Sequence, residues 1–380
     1  MIILDPIAVS DPGVFVSSNV PEDDTAPTQI LTRVYAAGDA VMDPATHTKF
    51  ESKLGVRAVA AISIGSPGVV TWAAHGLVAG TPVSFTSTGL LPTGFLPDVV
   101  YYLVAPATNT FQLSATLGGA AINTSGSQSG VHSAAAGQNF GRALSDKTYW
   151  LPVGATNRWK MFDAYNNTQT ERADSIVIEI DPKAIAQGVY LGNVDAAEII
   201  VTSTDPTAGV VYRQVTSMQT SSSGSSFYRW LFGRRRRRSY FLTLDLPLYY
   251  NTRVKIEIKN PGGIARCGMC NIGPIEDIGF SQYGLGTDIK DYSTTRFNFD
   301  GTSETTERGF SKRMTLDVVL DNDMIDYVQE WLAARRQKSL VYIGAVEFGS
   351  TVLCGKFSSF KNVIEGFTNS KMALQIEGVV

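Results

Sequence analysis

Residues 66–133 read SPGVVTWAAHGLVAGTPVSFTSTGLLPTGFLPDVVYYLVAPATNTFQLSATLGGAAINTSGSQSGVHS. Short apolar runs alternate with turn clusters throughout. Val69-Val70-Thr71-Trp72 is followed by His75-Gly76, and Pro82-Val83-Ser84-Phe85 by a loop from Thr86 to Pro97. Val99-Val100-Tyr101-Tyr102-Leu103-Val104 runs into Pro106 to Asn109, and Phe111-Gln112-Leu113-Ser114 closes the series. β-Branched and aromatic residues bounded by Gly, Pro, Asn and Thr predict strands joined by tight turns. The stretch is a small all-β module, about half the size of an ordinary domain.

The rest of the chain extends this β character. It has 380 residues, 44% hydrophobic and 18% charged, with a net charge of −3. At roughly 100–200 residues per domain, that length predicts two to four domains. The slightly acidic balance gives no global nucleic-acid signal. No run reaches the roughly 18 apolar residues of a membrane helix, so no membrane insertion is expected. The first residues lack the basic start and apolar core of a signal peptide. Three cysteines, Cys267, Cys270 and Cys354, cannot build a disulfide framework. Synthesis in a reducing cytoplasm follows as the simplest expectation.

The module at 66–133 closely resembles the small β-barrel repeat of many tailed-bacteriophage tail proteins. That repeat is distantly similar to the first catalytic-cysteine half-domain of ubiquitin-activating enzymes. The matching residues are Val70-Thr71-Trp72, His75-Gly76-Leu77, Gly80, Pro82-Val83, Leu91-Pro92-Thr93-Gly94, Tyr101-Tyr102-Leu103-Val104, Thr110-Phe111-Gln112-Leu113-Ser114 and Ile122-Asn123. No cysteine lies in the segment, so the resemblance implies a virion context and no ubiquitin-type chemistry.

Upstream, residues 1–29 hold four prolines and no sustained periodicity. They read as an extended arm or a disordered tail. Tyr35-Ala36-Ala37-Gly38-Asp39-Ala40-Val41 then predicts a strand, a Gly-Asp turn and a second strand. This resembles the Tyr-x-x-Gly-Asp-x-Val pattern of small chitinase-type carbohydrate-binding modules. Their finishing aromatic pair is displaced here to Tyr149-Trp150. The barrel at 61–136 is therefore read as an insertion into a small module made of 30–60 and 137–163, which loop-closure entropy tolerates well. Tyr35, Phe50, Tyr149, Trp150 and Trp159 are the candidate sugar-stacking residues. Core packing of a small module is the competing use of the same rings.

Downstream, Asp174 to Ile180, Glu198 to Thr202 and Arg253 to Lys259 alternate as half-buried strands do. They predict a β-sandwich over 164–275. Asn260-Pro261-Gly262-Gly263 is a strong turn signal. Residues 276–380 open on a strand, Arg313 to Leu320, followed by a helix over Asp323–Gln337. Asp321 or Asn322 is its expected cap. Met324, Ile325, Val328, Trp331 and Leu332 share one face, and Arg335, Arg336 and Lys338 favour the C-terminal end of the dipole. The strand–helix–strand–strand–strand order resembles the ring-forming domain of phage tail-tube and distal-tail proteins. By that resemblance the helix and its flanking strands form the assembly element. The junction Asn157-Arg158-Trp159-Lys160-Met161-Phe162-Asp163 belongs to the same resemblance.

Chemistry is sparse. The three histidines, His47, His75 and His132, all lie in the N-terminal part of the chain. No nucleophile elbow or phosphate-cradling loop is present. Cys267-Gly268-Met269-Cys270 lacks two further zinc ligands and reads as two buried reduced thiols. Arg234, Arg235, Arg236, Arg237 and Arg238 form an unbroken run between flanks that read as strands, so the run is placed on a hairpin. It suits an acidic neighbour or phosphates, either DNA in a tail channel or lipopolysaccharide, with a neighbouring tail protein favoured.

The expectation is therefore a mainly β, multidomain protein: small β modules, a β-sandwich and a C-terminal α+β domain of ring-forming type. Its expected role is that of a non-enzymatic structural component of a bacteriophage tail or baseplate, a homo-oligomeric ring bound to other tail proteins and needing no cofactor. A receptor-binding protein for host cell-surface glycan is the alternative.

Overall fold

The computed structural model describes residues 1–220, 227–232 and 236–379. The protein is mainly β, 47% strand and 6% helix, in several separate antiparallel sheets. The chain divides into two compact units. One is Glu22–Thr156; the other joins Met1–Pro21 to Asn157–Val380.

In Glu22–Thr156, a three-stranded sheet runs in the order Trp150–Ala155, Thr48–Ser52, Ala40–Asp43. Trp150 lies opposite Ser52, so everything between these two residues leaves and re-enters the sheet at one point. The intervening chain forms a seven-stranded sheet in the order Val56–Val59, His132–Ala136, Pro82–Ser87, Val100–Val104, Thr110–Ser114, Val70–Thr71, Ala61–Ile62. Its first and last strands are adjacent in the chain, so the sheet curls around its core. Alternation sets the inward face: Tyr101 and Leu103, then Phe111 and Leu113, pack with Val83, Phe85 and Trp72. The strand Val56–Val59, assigned from sequence to the small module, pairs along its whole length with His132–Ala136. Gly55 explains the earlier departure. Its φ is +104°, and a Cβ there would lie 2.2 Å from the Tyr35 carbonyl oxygen. Only glycine lets the chain swing out against that backbone.

In the other unit, an eight-stranded sheet is the middle layer. Its order is Ile275–Asp277, Ile2–Leu4, Leu340–Ile343, Val352–Val363, Asn369–Gly378, Phe310–Asp321, with Phe280–Ser281 and Gly286–Asp291 both on the free side of Phe310–Asp321. All four residues of Leu340–Ile343 are buried, because both faces of the sheet are covered. Leu340 and Tyr342 face the side packed by the helix, with Ile3, Leu353, Leu316 and Leu374. Val341 and Ile343 face the other side, with Leu4, Val352, Cys354, Tyr190 and Met269. Tyr190 and Met269 come from a second sheet, ordered Tyr240–Thr243, Gly188–Gly192, Met269–Gly273.

Three expectations are corrected here. The segments 164–275 and 276–380 share this core and lie in one unit. Residues 1–29 are not a free arm: Ile2–Leu4 is an interior strand with Ile3 and Leu4 fully buried, and Phe15–Ser18 pairs with Thr170–Ile180. A prolyl-rich stretch without periodicity can still supply short strands to a sheet built by the rest of the chain. The third concerns Asn260-Pro261-Gly262-Gly263, which does not reverse the chain. The strand Arg253–Cys267 continues through it, with Asp174 opposite Asn260 and Ala173 opposite Ile264. Residues 261–263 bulge out of the ladder. Gly262 N–H donates to Asp174 Oδ1 at 2.9 Å, and Asn260 Nδ2 donates to the Ile264 carbonyl at 2.8 Å, closing the bulge.

The long sheet Gly209–Ser217, Glu198–Asp205, Arg253–Cys267, Thr170–Ile180, Phe15–Ser18 completes this unit. On its two central strands, Ile176, Ile178, Val254, Ile256 and Ile258 alternate inward from charged neighbours.

Candidate assembly surface

The helix spans Ile325–Ala334, entered through a 3-10 turn at Asn322–Met324. Val328 and Leu332 are fully buried, and Met324, Ile325 and Trp331 pack partly buried on the same core. The apolar face predicted from spacing therefore packs on its own sheet, with Met324, Ile325 and Trp331 left partly exposed. No side chain caps the helix, contrary to the expectation for Asp321 or Asn322. The Asn322 amide is engaged elsewhere: Nδ2 donates to the Gly366 carbonyl at 2.9 Å, and Oδ1 accepts from the Ser370 hydroxyl. At the other end, Arg335 lies 4.1 Å from the Trp331 ring centroid and pairs with Asp5 at 2.7 Å. Lys338 pairs with the same carboxylate. The basic end of the helix thus ties to the residue that follows the N-terminal strand.

One open apolar surface lies at the sheet's edge. Gly286–Asp291 pairs only with Phe310–Asp321 among the described residues, and Ile289 is 66% exposed. Lys290 is held to one side by Glu377 at 2.8 Å, and the Tyr292 hydroxyl donates to the same carboxylate at 2.9 Å. These two partners lower the Glu377 pKa, and Glu377 in turn raises that of Lys290. The following hairpin, Thr294–Phe297 with Ser303–Thr306, is exposed at every position. Phe297 is 76% exposed, and Phe280, Tyr283, Phe299, Ile364 and Phe367 are also open. Ile275–Asp277, at the opposite edge of the same sheet, pairs as a strand only with Ile2–Leu4 among the described residues, although the Gln187 side chain already accepts from Ile275 N–H at 3.2 Å. Open edges carry unpaired backbone donors and acceptors, which are templates for another strand.

The five sugar-stacking candidates do not form one platform. Tyr35 and Trp150 meet edge to face at 5.3 Å and are buried with Val41. Trp159 belongs to the other unit, buried against Phe15 at 5.1 Å and Phe162 at 5.6 Å. Rings enclosed this way have no face to give a sugar, so for Tyr35, Trp150 and Trp159 the binding assignment is corrected to core. Phe50 and Tyr149 remain half-buried, with the Arg142 guanidinium 4.9 Å from the Tyr149 ring centroid.

Tyr35 also does not lie in a strand, as its Tyr-x-x-Gly-Asp context predicted. Its backbone is bonded instead by a side chain that sequence reading missed. Asn139 is fully buried; its Oδ1 accepts from Tyr35 N–H at 3.0 Å. Its Nδ2 donates to the Tyr35 carbonyl at 2.7 Å, the Ser52 hydroxyl at 2.8 Å and the Leu54 carbonyl at 3.0 Å. No local signal distinguishes this asparagine from one in an ordinary loop.

Arg234 and Arg235 lie outside the described residues. Arg236–Arg237 pairs antiparallel with Gln219–Thr220. Between them, Phe227–Phe232 is a short helix and not the predicted strand. An apolar run this short carries no periodicity that separates the two. Arg237 binds Asp195 at 2.8 Å and the Asn260 amide oxygen at 3.1 Å, while Arg238 is exposed.

The reactive side chains are held by their own folds. Cys267, Cys270 and Cys354 are free and buried. Burial pushes the Cys267 and Cys354 thiols up to about 12 and raises Cys270 as well. His75 Nδ1 accepts from Leu77 N–H at 2.9 Å within its turn. His132 Nε2 faces Gln128 Oε1 at 3.1 Å, and its Nδ1 meets the Ser87 hydroxyl at 2.8 Å. The third group in that row is a neutral amide, which cannot stabilise an imidazolium as a carboxylate does. His47 meets Glu22 at 2.9 Å. A cleft of about 250 Å³ in the larger unit is lined by Asn166, Asn193, Tyr240, Phe310, Lys312 and Cys354, among others. Among the described residues, no three His, Cys, Asp or Glu side chains are grouped to hold a metal, and no helix is long and apolar enough to cross a membrane.

No protein-family model matches the chain, and no curated protein matches it.

Proposed function

We propose that this chain is a structural component of a bacteriophage tail or baseplate. In this reading it oligomerises around or docks onto the tail, links neighbouring tail or receptor-binding proteins, and catalyses nothing. It is made in the host cytoplasm and ends in the virion. The observation that carries the reading is one sheet whose two outer strands each pair on one side only. Ile275–Asp277 lies at one edge and Gly286–Asp291 at the other, and an exposed apolar hairpin follows the second. Pairing the first edge of one copy with the second edge of the next is a head-to-tail contact, which closes a ring or propagates along an axis. The virion context rests on the resemblance of residues 66–133 to the small β-barrel repeat of phage tail proteins.

A glycan-receptor role draws on five aromatics, three of which are core, and so has less support. The test is the mass of the full chain by light scattering, with Ile289→Pro as the edge variant, since proline removes a backbone donor and resists strand pairing. The reading expects a ring-sized or filamentous species that Ile289→Pro reduces to monomer. A monomer at all concentrations, or an oligomer indifferent to Ile289→Pro, defeats the edge-pairing account.

A further inference from the structure

The cleft of about 250 Å³ in the larger unit is lined both by the eight-stranded sheet and by the sheet that carries Gly188–Gly192 and Tyr240–Thr243. Phe310 and Lys312 stand two residues apart on one strand and so present the same face to it. Tyr190 and Tyr240 come from the other sheet. Tyr190 is only 7% exposed, yet its hydroxyl makes no hydrogen bond among the described residues. A hydroxyl buried this far ordinarily has a partner. Lys312 is exposed, and its ammonium has neither a hydrogen bond nor an ion pair among the described residues. One wall is held in place by its own bonds. Asp163 accepts from Tyr165 N–H at 2.8 Å and from the Thr168 hydroxyl at 2.7 Å, and Asn193 Nδ2 donates to the Asn166 carbonyl at 2.6 Å. That turn presents Asn166 and Asn167 to the cleft, and both side-chain amides are unbonded among the described residues. Gly349 makes room on the opposite wall, since a Cβ there would collide with the Tyr240 hydroxyl. Among the described residues, no carboxylate lines the cleft.

We propose that this cleft binds one hexuronic acid unit of an acidic polysaccharide. Lys312 meets the ring carboxylate, a charge-assisted contact. The Asn166 and Asn167 amides and the Tyr190 and Tyr240 hydroxyls meet the sugar hydroxyls, because groups of both kinds can donate and accept. Phe310 takes the apolar face of the sugar ring. Ligand pockets commonly run from about 300 to 1,000 Å³, so a cleft this small suits a single ring. Other ligand classes fit the lining less well. A phosphate calls for several cations or a nest of backbone N–H groups, and here one ammonium is offered. A divalent cation calls for oxygen ligands that include carboxylates. A purely apolar ligand would leave the amides and hydroxyls unpaired. Tyr35, Phe50, Tyr149, Trp150 and Trp159 do not line the cleft, so the site is separate from the earlier sugar-stacking candidates. The inference stands independently of the tail reading.

The experiment is saturation-transfer NMR with the full chain, followed by calorimetric titration. The probes are the methyl glycosides of glucuronic, galacturonic and mannuronic acid. Neutral methyl glucoside and cyclohexanecarboxylate serve as controls, the first lacking the charge and the second the hydroxyls. A ligand of this size should bind with a Kd of about 1 mM. At least one uronate should bind, and methyl glucoside should bind roughly tenfold or more weakly. Cyclohexanecarboxylate should also bind more weakly than that uronate. Lys312→Gln should weaken the uronate roughly tenfold or more and leave methyl glucoside unaffected. Tyr190→Phe should weaken the uronate roughly 3–10-fold. Its thermal midpoint should stay unchanged, because the hydroxyl has no protein partner to lose. Absence of binding by all three uronates to the wild-type chain at about 50 mM overturns the proposal, and that measurement needs no variant. Equal binding of uronate and methyl glucoside, or uronate binding indifferent to both Lys312→Gln and Tyr190→Phe, overturns it as well.

Discussion

Replacing Asn139 by alanine should destabilise the Glu22–Thr156 unit out of proportion to the few atoms removed. The side chain makes four hydrogen bonds in a fully buried position. After truncation, the Ser52 hydroxyl still donates to the Leu54 carbonyl at 2.9 Å, so those two groups keep a partner. Tyr35 N–H and Tyr35 C=O lose the amide that bonds them. Two buried orphans at about 1–3 kcal/mol each give a loss of about 2–6 kcal/mol. For a unit of this size each kcal/mol lowers the melting midpoint by about 4 °C, so the shift should be large. Asn139→Asp tests the polarity of the site. Its carboxylate can still accept from Tyr35 N–H, but its second oxygen faces the Tyr35 and Leu54 carbonyls. Those acceptors favour the protonated form, so the folded-state pKa rises above the unfolded value near 3.9. Relative to wild type, Asn139→Asp should therefore be mildest below about pH 4 and lose stability as pH rises through the folded pKa. Thermal unfolding by near-ultraviolet circular dichroism, with amide exchange at Tyr35, reads both effects. A loss below about 1 kcal/mol with the Tyr35 amide still protected would refute the reasoning.

Leu332→Ala should cost about 2–5 kcal/mol, because its side chain is fully buried between helix and sheet, and Trp331→Ala less than Leu332→Ala, because Trp331 is only partly enclosed; equilibrium denaturation measures both. Deleting Val56 through Ala136 behind a short Gly/Ser link should leave a soluble, cooperatively melting protein, because Trp150–Ala155 pairs directly with Thr48–Ser52; loss of cooperative unfolding would mean the two flanks depend on the barrel. The three thiols should resist a thiol-specific disulfide reagent at pH 8 in the folded protein and all react in denaturant, since burial keeps them protonated.

The sequence is most legible where side-chain periodicity and burial agree. Tyr101, Leu103, Phe111 and Leu113 are spaced as an alternating strand requires, and they face one core. Val328 and Leu332 are one helical turn apart, and both are sealed. Legibility fails where long-range partners decide. Ile2–Leu4 is too short to announce itself, and it becomes an interior strand only because Ile275–Asp277 and Leu340–Ile343 flank it. Pro261-Gly262-Gly263 carries the chemistry of a turn, yet pairing on both sides of it holds the strand straight and expels a bulge. The aromatics of the small module were ambiguous for a physical reason: a ring suited to stacking on sugar is equally suited to filling a small core. Only burial separates the two uses. Phe227–Phe232 failed differently, because six residues are too few for a period to show.

The central claim, a tail component that assembles through the outer edges of its eight-stranded sheet, is tested most directly by a reconstruction of the particles made from the genome that encodes this chain. The account predicts copies of the chain arranged around the tail axis, with Gly286–Asp291 of each copy against Ile275–Asp277 of the next and the Thr294–Thr306 hairpin buried between neighbours. Particles that lack the chain, or that hold it with both sheet edges open to solvent, would contradict it.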